Sequence, residues 1–162
     1  MQSYVFYQNN GLLLNNFIKF IKSTPLNKLS PTDYTQVTSN LKIATNIAEE
    51  LSPYFKAAKE ALAEGRSEIL FNQNGEIVKL NISQENGQVK IRIAKPVEGH
   101  KYSTYSQSAV FDSESGKVLS VHQSEKGYNY GYRGEDYAVI SPSMEVKYNP
   151  DGTLTFLKEK LV

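Results

Sequence analysis

The sequence predicts an α+β fold, in which N-terminal helices pack on an antiparallel β-meander of about seven to nine strands. Apolar residues follow a helical spacing over about residues 31–64, and short alternating segments separated by turn residues follow over 67–160. Helices followed by a run of strands are typical of α+β domains. A chain of 162 residues suits a single domain, with a helical part at 1–65 and a sheet part at 66–162.

The segment GLLLNNFIKFIKS, residues 11–23, predicts a short amphipathic helix. Most of its leucine, isoleucine and phenylalanine side chains would share one face, and its asparagines and lysines the other. We interpret it as a helix that packs on the core. A membrane-surface or partner-binding helix is the alternative, although two lysines offer little attraction to anionic lipid.

A longer helix is predicted to begin at Pro31, since proline suits the first helical position. The apolar residues then step alternately by three and four and form a seam: Tyr34, Val37, Leu41, Ala44, Ala48, Leu51, Phe55, Ala58 and Leu62. Pro53 would cost about 3 kcal/mol inside a regular helix, so we expect a kink or break between about residues 50 and 54. Because the seam keeps its phase, we expect one kinked helix or two nearly collinear ones, capped by Gly65.

Four turn signals divide the second part of the chain into hairpins. They are Asn74–Gly75, Asn86–Gly87, Gly116 and the segment NPDG at 149–152. The outline resembles the helix-then-meander modules of cystatin-like and PepSY-like proteins. The segment FDSESGKVLSV, residues 111–121, looks like the closing hairpin of the PepSY-like modules. This resemblance implies an outline of the fold and no function.

Composition argues against several kinds of partner and site. The formal net charge is +1, so we expect no nucleic-acid partner. The chain has no cysteine, which excludes disulfides, thiol nucleophiles and cysteine-based metal sites. No apolar run approaches the roughly 20 residues of a membrane span. The N-terminus lacks the features of a signal peptide, so we expect a cytoplasmic protein, and a mature secreted form would also fit.

Sequence signatures of catalysis are missing. There is no nucleophile elbow, phosphate-binding loop, dinucleotide fingerprint or HExxH motif. His100 lies in a predicted loop and His122 in a predicted strand, without the spacing of a metal-binding pair. The calcium-loop-like start at Asp112 has Gln123 where the bidentate glutamate would stand. The sequence therefore favours a non-enzymatic protein, and we expect no catalytic residue, no metal and no cofactor.

The segment GYNYGYRGEDY, residues 127–137, contains the candidate binding site. Its three alternating tyrosines would share one face of a strand, where three successive hydroxyls are difficult to satisfy in a core. An open tyrosine face offers a large contact area at low entropic cost, whereas a covered one would be a cross-strand aromatic ladder. The candidate residues are Tyr128, Tyr130 and Tyr132, the charged rim of Arg133, Glu135 and Asp136, and the strand residue His122.

Two functional hypotheses follow. The first is a non-enzymatic protein-interaction module of the accessory, inhibitor or immunity type, which binds a protein partner through the tyrosine face. Small bacterial and viral proteins of this kind are common, and the chain's richness in Asn, Lys, Ile and Tyr is compatible with an AT-rich genome. The second is a small-ligand-binding protein with a pocket between helix and curved sheet, using tyrosine hydroxyls, His122 and Arg133.

Overall fold

The structure, a computed structural model, describes residues 2–8, 17–20, 31–129 and 137–158. It confirms an α+β arrangement, because helical residues pack on one face of a large antiparallel sheet. Every helix within these ranges is too short or too polar to span a membrane.

Two α-helices follow one another along the chain. Helix α1 spans Pro31–Leu51 and helix α2 spans Phe55–Ala63. A single 3-10 turn, Ser52–Tyr54, separates them and contains Pro53, whose missing N–H removes one helical hydrogen bond. Beyond α2, Gly65 adopts a positive φ of 78°, which ends the helical run.

The strands of the described residues range from four to 13 residues and are mostly joined by tight turns. In chain order they are β1 Gln2–Gln8, β2 Phe17–Phe20, β3 Glu68–Gln73, β4 Glu76–Glu85, β5 Gln88–Val97, β6 His100–Asp112, β7 Val118–Gln123, β8 Lys126–Asn129, β9 Tyr137–Ser141, β10 Met144–Tyr148 and β11 Thr153–Lys158. The main sheet has the order β2-β1-β11-β10-β7-β6-β5-β4-β3, and β8 pairs with β9 separately.

The expected helix at residues 11–23 is wrong where the structure describes that segment. Phe17–Phe20 form a strand that pairs antiparallel with β1, with Phe6 opposite Phe20. Aromatic and β-branched residues favour strands, and a short apolar run does not distinguish a helix from a strand by its spacing. Phe17–Phe20 form a strand because they can pair with the edge of β1 that β11 leaves free. The remainder of the segment lies outside the described residues.

The predicted turns connect strands as expected. Asn74 and Gly75 join β3 to β4, and Asn86 and Gly87 join β4 to β5, all four with positive φ. This is the backbone of a two-residue type I′ hairpin, which is why Asn-Gly is its strongest signal. The turns at Gly116 and at residues 149–152 join β6 to β7 and β10 to β11.

The core lies between the helices and one face of the main sheet. The seam predicted on the helices is confirmed as buried over five of its positions: Leu41, Ala44, Ala48, Leu51 and Ala58. Phe55 and Leu62 are partly buried against the same core. Phe111 and Phe156 are the largest fully buried side chains that the sheet contributes. Packing on its own sheet therefore accounts for this apolar face.

Candidate functional site

The predicted tyrosine site falls largely outside the described residues. Tyr128 lies in β8, where its backbone is in register with Ala138 of β9. The other members of the tyrosine face and its rim lie outside the described ranges: Tyr130, Tyr132, Arg133, Glu135 and Asp136. A common face for the three tyrosines therefore stays a prediction.

His122 lies on the face of the sheet that points away from the helices. Its cross-strand neighbours are Ser108 on β6 and Glu145 on β10, both in direct register with it. A shallow groove of about 260 Å³ includes these three residues together with Lys90 and Ser120. Residues in direct register share a face, so the sheet places a serine, a histidine and a glutamate side by side.

This row has the residue types of a nucleophilic triad but not its geometry. A triad needs the histidine within about 2.6–3.2 Å of both partners. His122 forms no hydrogen bond with Ser108 or Glu145, although both lie opposite it. Burial lowers the pKa of His122 below its ordinary value of 6.5; Glu145 acts in the opposite direction, and Lys90 lowers it further. The groove thus holds a neutral imidazole at neutral pH.

A second cleft of about 280 Å³ lies between helix α1 and strands β6 to β8. Three amide side chains line it, those of Asn46, Gln107 and Gln123. Gln107 Nε2 donates a hydrogen bond to Gln123 Oε1 at 2.9 Å. At the same cleft, Lys126 Nζ lies 4.9 Å from the centre of the Tyr105 ring. Across the described ranges, no group of three or more histidine, aspartate and glutamate side chains could hold a metal ion.

The largest of these clefts, about 550 Å³, lies where the main sheet divides. The ladder between β4 and β5 runs from Glu85 opposite Gln88 to Leu80 opposite Ile93, and ends there. Strand β4 continues beside β3, and β5 continues beside β6. Between the diverging ends, Leu51 of the helical run contributes to the lining of the cleft.

Pro96 removes one hydrogen-bonding pair that a longer β4–β5 ladder would need beyond the division. In an antiparallel ladder, alternate residues of a strand direct their backbone groups to one neighbour and then to the other. If the β4–β5 ladder continued in the register set by the Asn86–Gly87 turn, Ile77 and Pro96 would lie opposite each other as a hydrogen-bonding pair. Proline has no N–H to donate, and the register of the β5–β6 ladder shifts between Pro96 and Val97.

Two large apolar side chains are exposed on the β3–β4 hairpin, and one of them, Ile77, also lines this cleft. Leu70 is 59% exposed and Ile77 is 75% exposed. Both lie on one face of the β3–β4 hairpin, because Ile77 is opposite Asn72, two residues from Leu70 on β3. Strand β3 is the last strand of the sheet order, so its outer edge is free of strand partners among the described residues.

Sequence reasoning missed this surface although a signal was present. Ile69, Leu70 and Phe71 are consecutive apolar residues, whereas a strand with one buried face needs only alternate ones. The surplus apolar residue, Leu70, lies on the open face of the hairpin.

No protein-family model, no curated protein and no solved structure matches this chain.

Proposed function

We propose that the protein is a non-enzymatic interaction module that binds a protein partner, and that Leu70 and Ile77 form its contact surface on the described part of the chain. The observation that supports the proposal is the exposure of these two side chains on a hairpin that borders a cleft at Ile77 and has a free strand edge at β3. Single exposed apolar residues are ordinary on protein surfaces. Two on one face of an edge hairpin are less easily explained without a partner.

The size of the two side chains fits this role. Burying one leucine or isoleucine side chain contributes about 1.5–3 kcal/mol, which is the magnitude expected of a residue that dominates an interface. Edge strands are usually protected from association by charged residues. Here Lys79 and Glu68 form an ion pair of 3.7 Å on the same hairpin, which gives the apolar pair a charged border.

Cross-linking in the cells that make the protein tests the proposal. A photoreactive amino acid replaces Ile77 in one variant and Lys42, which is exposed on helix α1, in a matched control. We expect one protein adduct at position 77 and none at position 42. The cross-linked partner is then identified and purified, and its affinity for the parent chain is measured by calorimetry.

A double variant, Leu70→Thr with Ile77→Thr, completes the test. Threonine keeps strand propensity and removes apolar surface, so the melting temperature should stay close to that of the parent. We expect the affinity for the partner to fall at least ten-fold. Equal adduct yields at positions 77 and 42, or an unchanged affinity of the double variant, would contradict the proposal.

The cleft between helix α1 and strands β6 to β8 supports a second candidate, the binding of a small polar ligand. The paired amides of Gln107 and Gln123 supply both donors and acceptors at its wall. A fragment screen by NMR distinguishes the two candidates. Ligands that shift the side-chain amides of Gln107 and Gln123, without affecting the Ile77 methyl groups, would favour the small-ligand function.

A further inference from the structure

We propose that the cleft between β4 and β5 receives an extended peptide segment of the partner, which pairs with β4 as an added strand. This inference rests on the proposed function and specifies the conformation of the part of the partner that enters the cleft beside Ile77. It depends on the unpaired strand edges of the cleft and not on its apolar lining alone.

The backbone of β4 determines which conformation a bound segment of the partner can adopt in the cleft. Val78 directs its backbone N–H and C=O toward Phe71 of β3. Ile77, the residue before it, therefore directs its N–H and C=O to the other side of β4, toward the cleft. Beyond the pair of Leu80 and Ile93, no residue of β5 pairs with this side of β4. A helix satisfies its own backbone groups and could not use this edge. An extended peptide can, by the strand addition that many peptide-binding domains use.

The lining of the cleft determines the pattern of side chains that the peptide should carry. Leu51, Tyr54 and Phe71 line it on the side of the helices, and the ring centres of Tyr54 and Phe71 are 4.6 Å apart. Successive residues of a strand point to opposite faces. We therefore expect apolar residues at alternate positions of the peptide, directed to Leu51 and Tyr54.

The charges around the cleft are balanced. Lys95 Nζ lies 2.8 Å from Glu50 Oε2 at the rim, and Glu76 and Lys79 contribute one charge of each sign on β4. A peptide therefore gains little from net charge, and its main-chain hydrogen bonds and alternate apolar residues should decide binding. The volume of about 550 Å³ lies in the range of ordinary ligand sites and suits a segment of a few residues.

A phage-displayed library of random twelve-residue peptides, selected on the purified chain, supplies the probe. We expect selected peptides to alternate apolar and polar residues. N-methylation of a central residue should weaken their binding at least ten-fold, because it removes a main-chain donor. In the complex, the amide of Ile77 should exchange with solvent at least ten-fold more slowly than in the free protein.

A proline variant tests the origin of the cleft. Pro96→Thr restores an N–H opposite Ile77 and should let the ladder close, which would weaken the selected peptides at least ten-fold. Pro150→Ala, in the turn between β10 and β11, is the matched control and should bind as the parent does. If Pro96→Thr does not fold, the N-methylated peptides and the exchange measurement still decide, because both use the parent chain.

The outcomes separate this inference from the proposed function. A library that yields no binder, or peptides that tolerate N-methylation at every position and leave the Ile77 amide unprotected, would overturn strand addition. A protein partner that needs Leu70 and Ile77 but does not protect the Ile77 amide would uphold the proposed function and overturn strand addition. Failure of the function itself would appear in the cross-linking experiment, which does not use the library.

Discussion

Gly116 lies directly against Phe55: a Cβ atom added to Gly116 would be 3.1 Å from Cε2 of the phenylalanine ring. The same ring packs on Phe111, with ring centres 5.7 Å apart. The first residue of helix α2 is thus held against the turn between β6 and β7. Because Gly116 also has a φ of +74°, both the conformation and the close approach favour glycine here.

Gly116→Ala should therefore destabilise the protein more than Gly87→Ala. Both glycines have positive φ, near +75°, and alanine pays roughly 1–2 kcal/mol there. A Cβ at Gly87 would meet nothing within 4 Å, whereas one at Gly116 must displace Phe55. We expect an additional loss of about 1 kcal/mol or more for Gly116→Ala in urea unfolding. Equal losses for the two variants would show that Phe55 moves aside without cost.

Leu51→Ala should reduce the free energy of unfolding by about 2–5 kcal/mol, because the side chain is 1% exposed and its removal leaves a cavity. Leu70→Ala makes the same chemical change at a side chain that is 59% exposed. It should cost less than about 1 kcal/mol. Chemical denaturation of both variants checks this pair, and similar losses would contradict the assignment of the helical seam to the core.

His122 should titrate below its ordinary pKa of 6.5, because burial disfavours the imidazolium more than Glu145 stabilises it. As pH falls through 6.5, the unfolded chain binds a proton before the folded chain does. The stability of the fold should therefore decrease from pH 7.5 toward the depressed pKa, and less so in His122→Gln. An NMR titration of the ring protons gives the pKa, and a value above 6.5 would contradict the burial argument.

Tyr148→Phe should leave the protein as stable as the parent or make it more stable. The Tyr148 hydroxyl is buried without a hydrogen-bond partner among the described residues, and an unsatisfied buried group costs about 1–3 kcal/mol. Burial also raises the pKa of Tyr148 from 10.0 to about 12. Between these values the unfolded chain ionises first, so stability falls with rising pH in the parent and less in the variant. A clear loss of stability at pH 7 in Tyr148→Phe would show that the hydroxyl is satisfied.

The double variant Tyr130→Ala with Arg133→Ala tests the predicted tyrosine face. If that face is an open contact surface, we expect weaker binding to the purified partner and an almost unchanged melting temperature, since an open surface contributes little to the core. A large loss of stability with unchanged binding by the folded fraction would place the tyrosines in the core. Comparison with the Leu70 and Ile77 double variant then shows which surface the partner contacts.

The local chemistry of the chain was sufficient to predict its class, its turns and its helical core face. Asn74–Gly75 and Asn86–Gly87 predict hairpins because asparagine and glycine tolerate positive φ, which is a property of the residues themselves. The spacing from Leu41 to Ala58 predicts a buried seam because helical periodicity is local. These features need no knowledge of the rest of the fold.

Tertiary pairing decided the remaining features. Phe17–Phe20 form a strand because β1 offers a free edge, and the side-by-side placement of Ser108, His122 and Glu145 follows from the order of β6, β7 and β10. The cleft beside Ile77 arises because the ladder between β4 and β5 ends, while β4 stays paired with β3 and β5 stays paired with β6. Strand order and the end of a ladder depend on residues far apart in the chain, and local periodicity does not encode which strands meet.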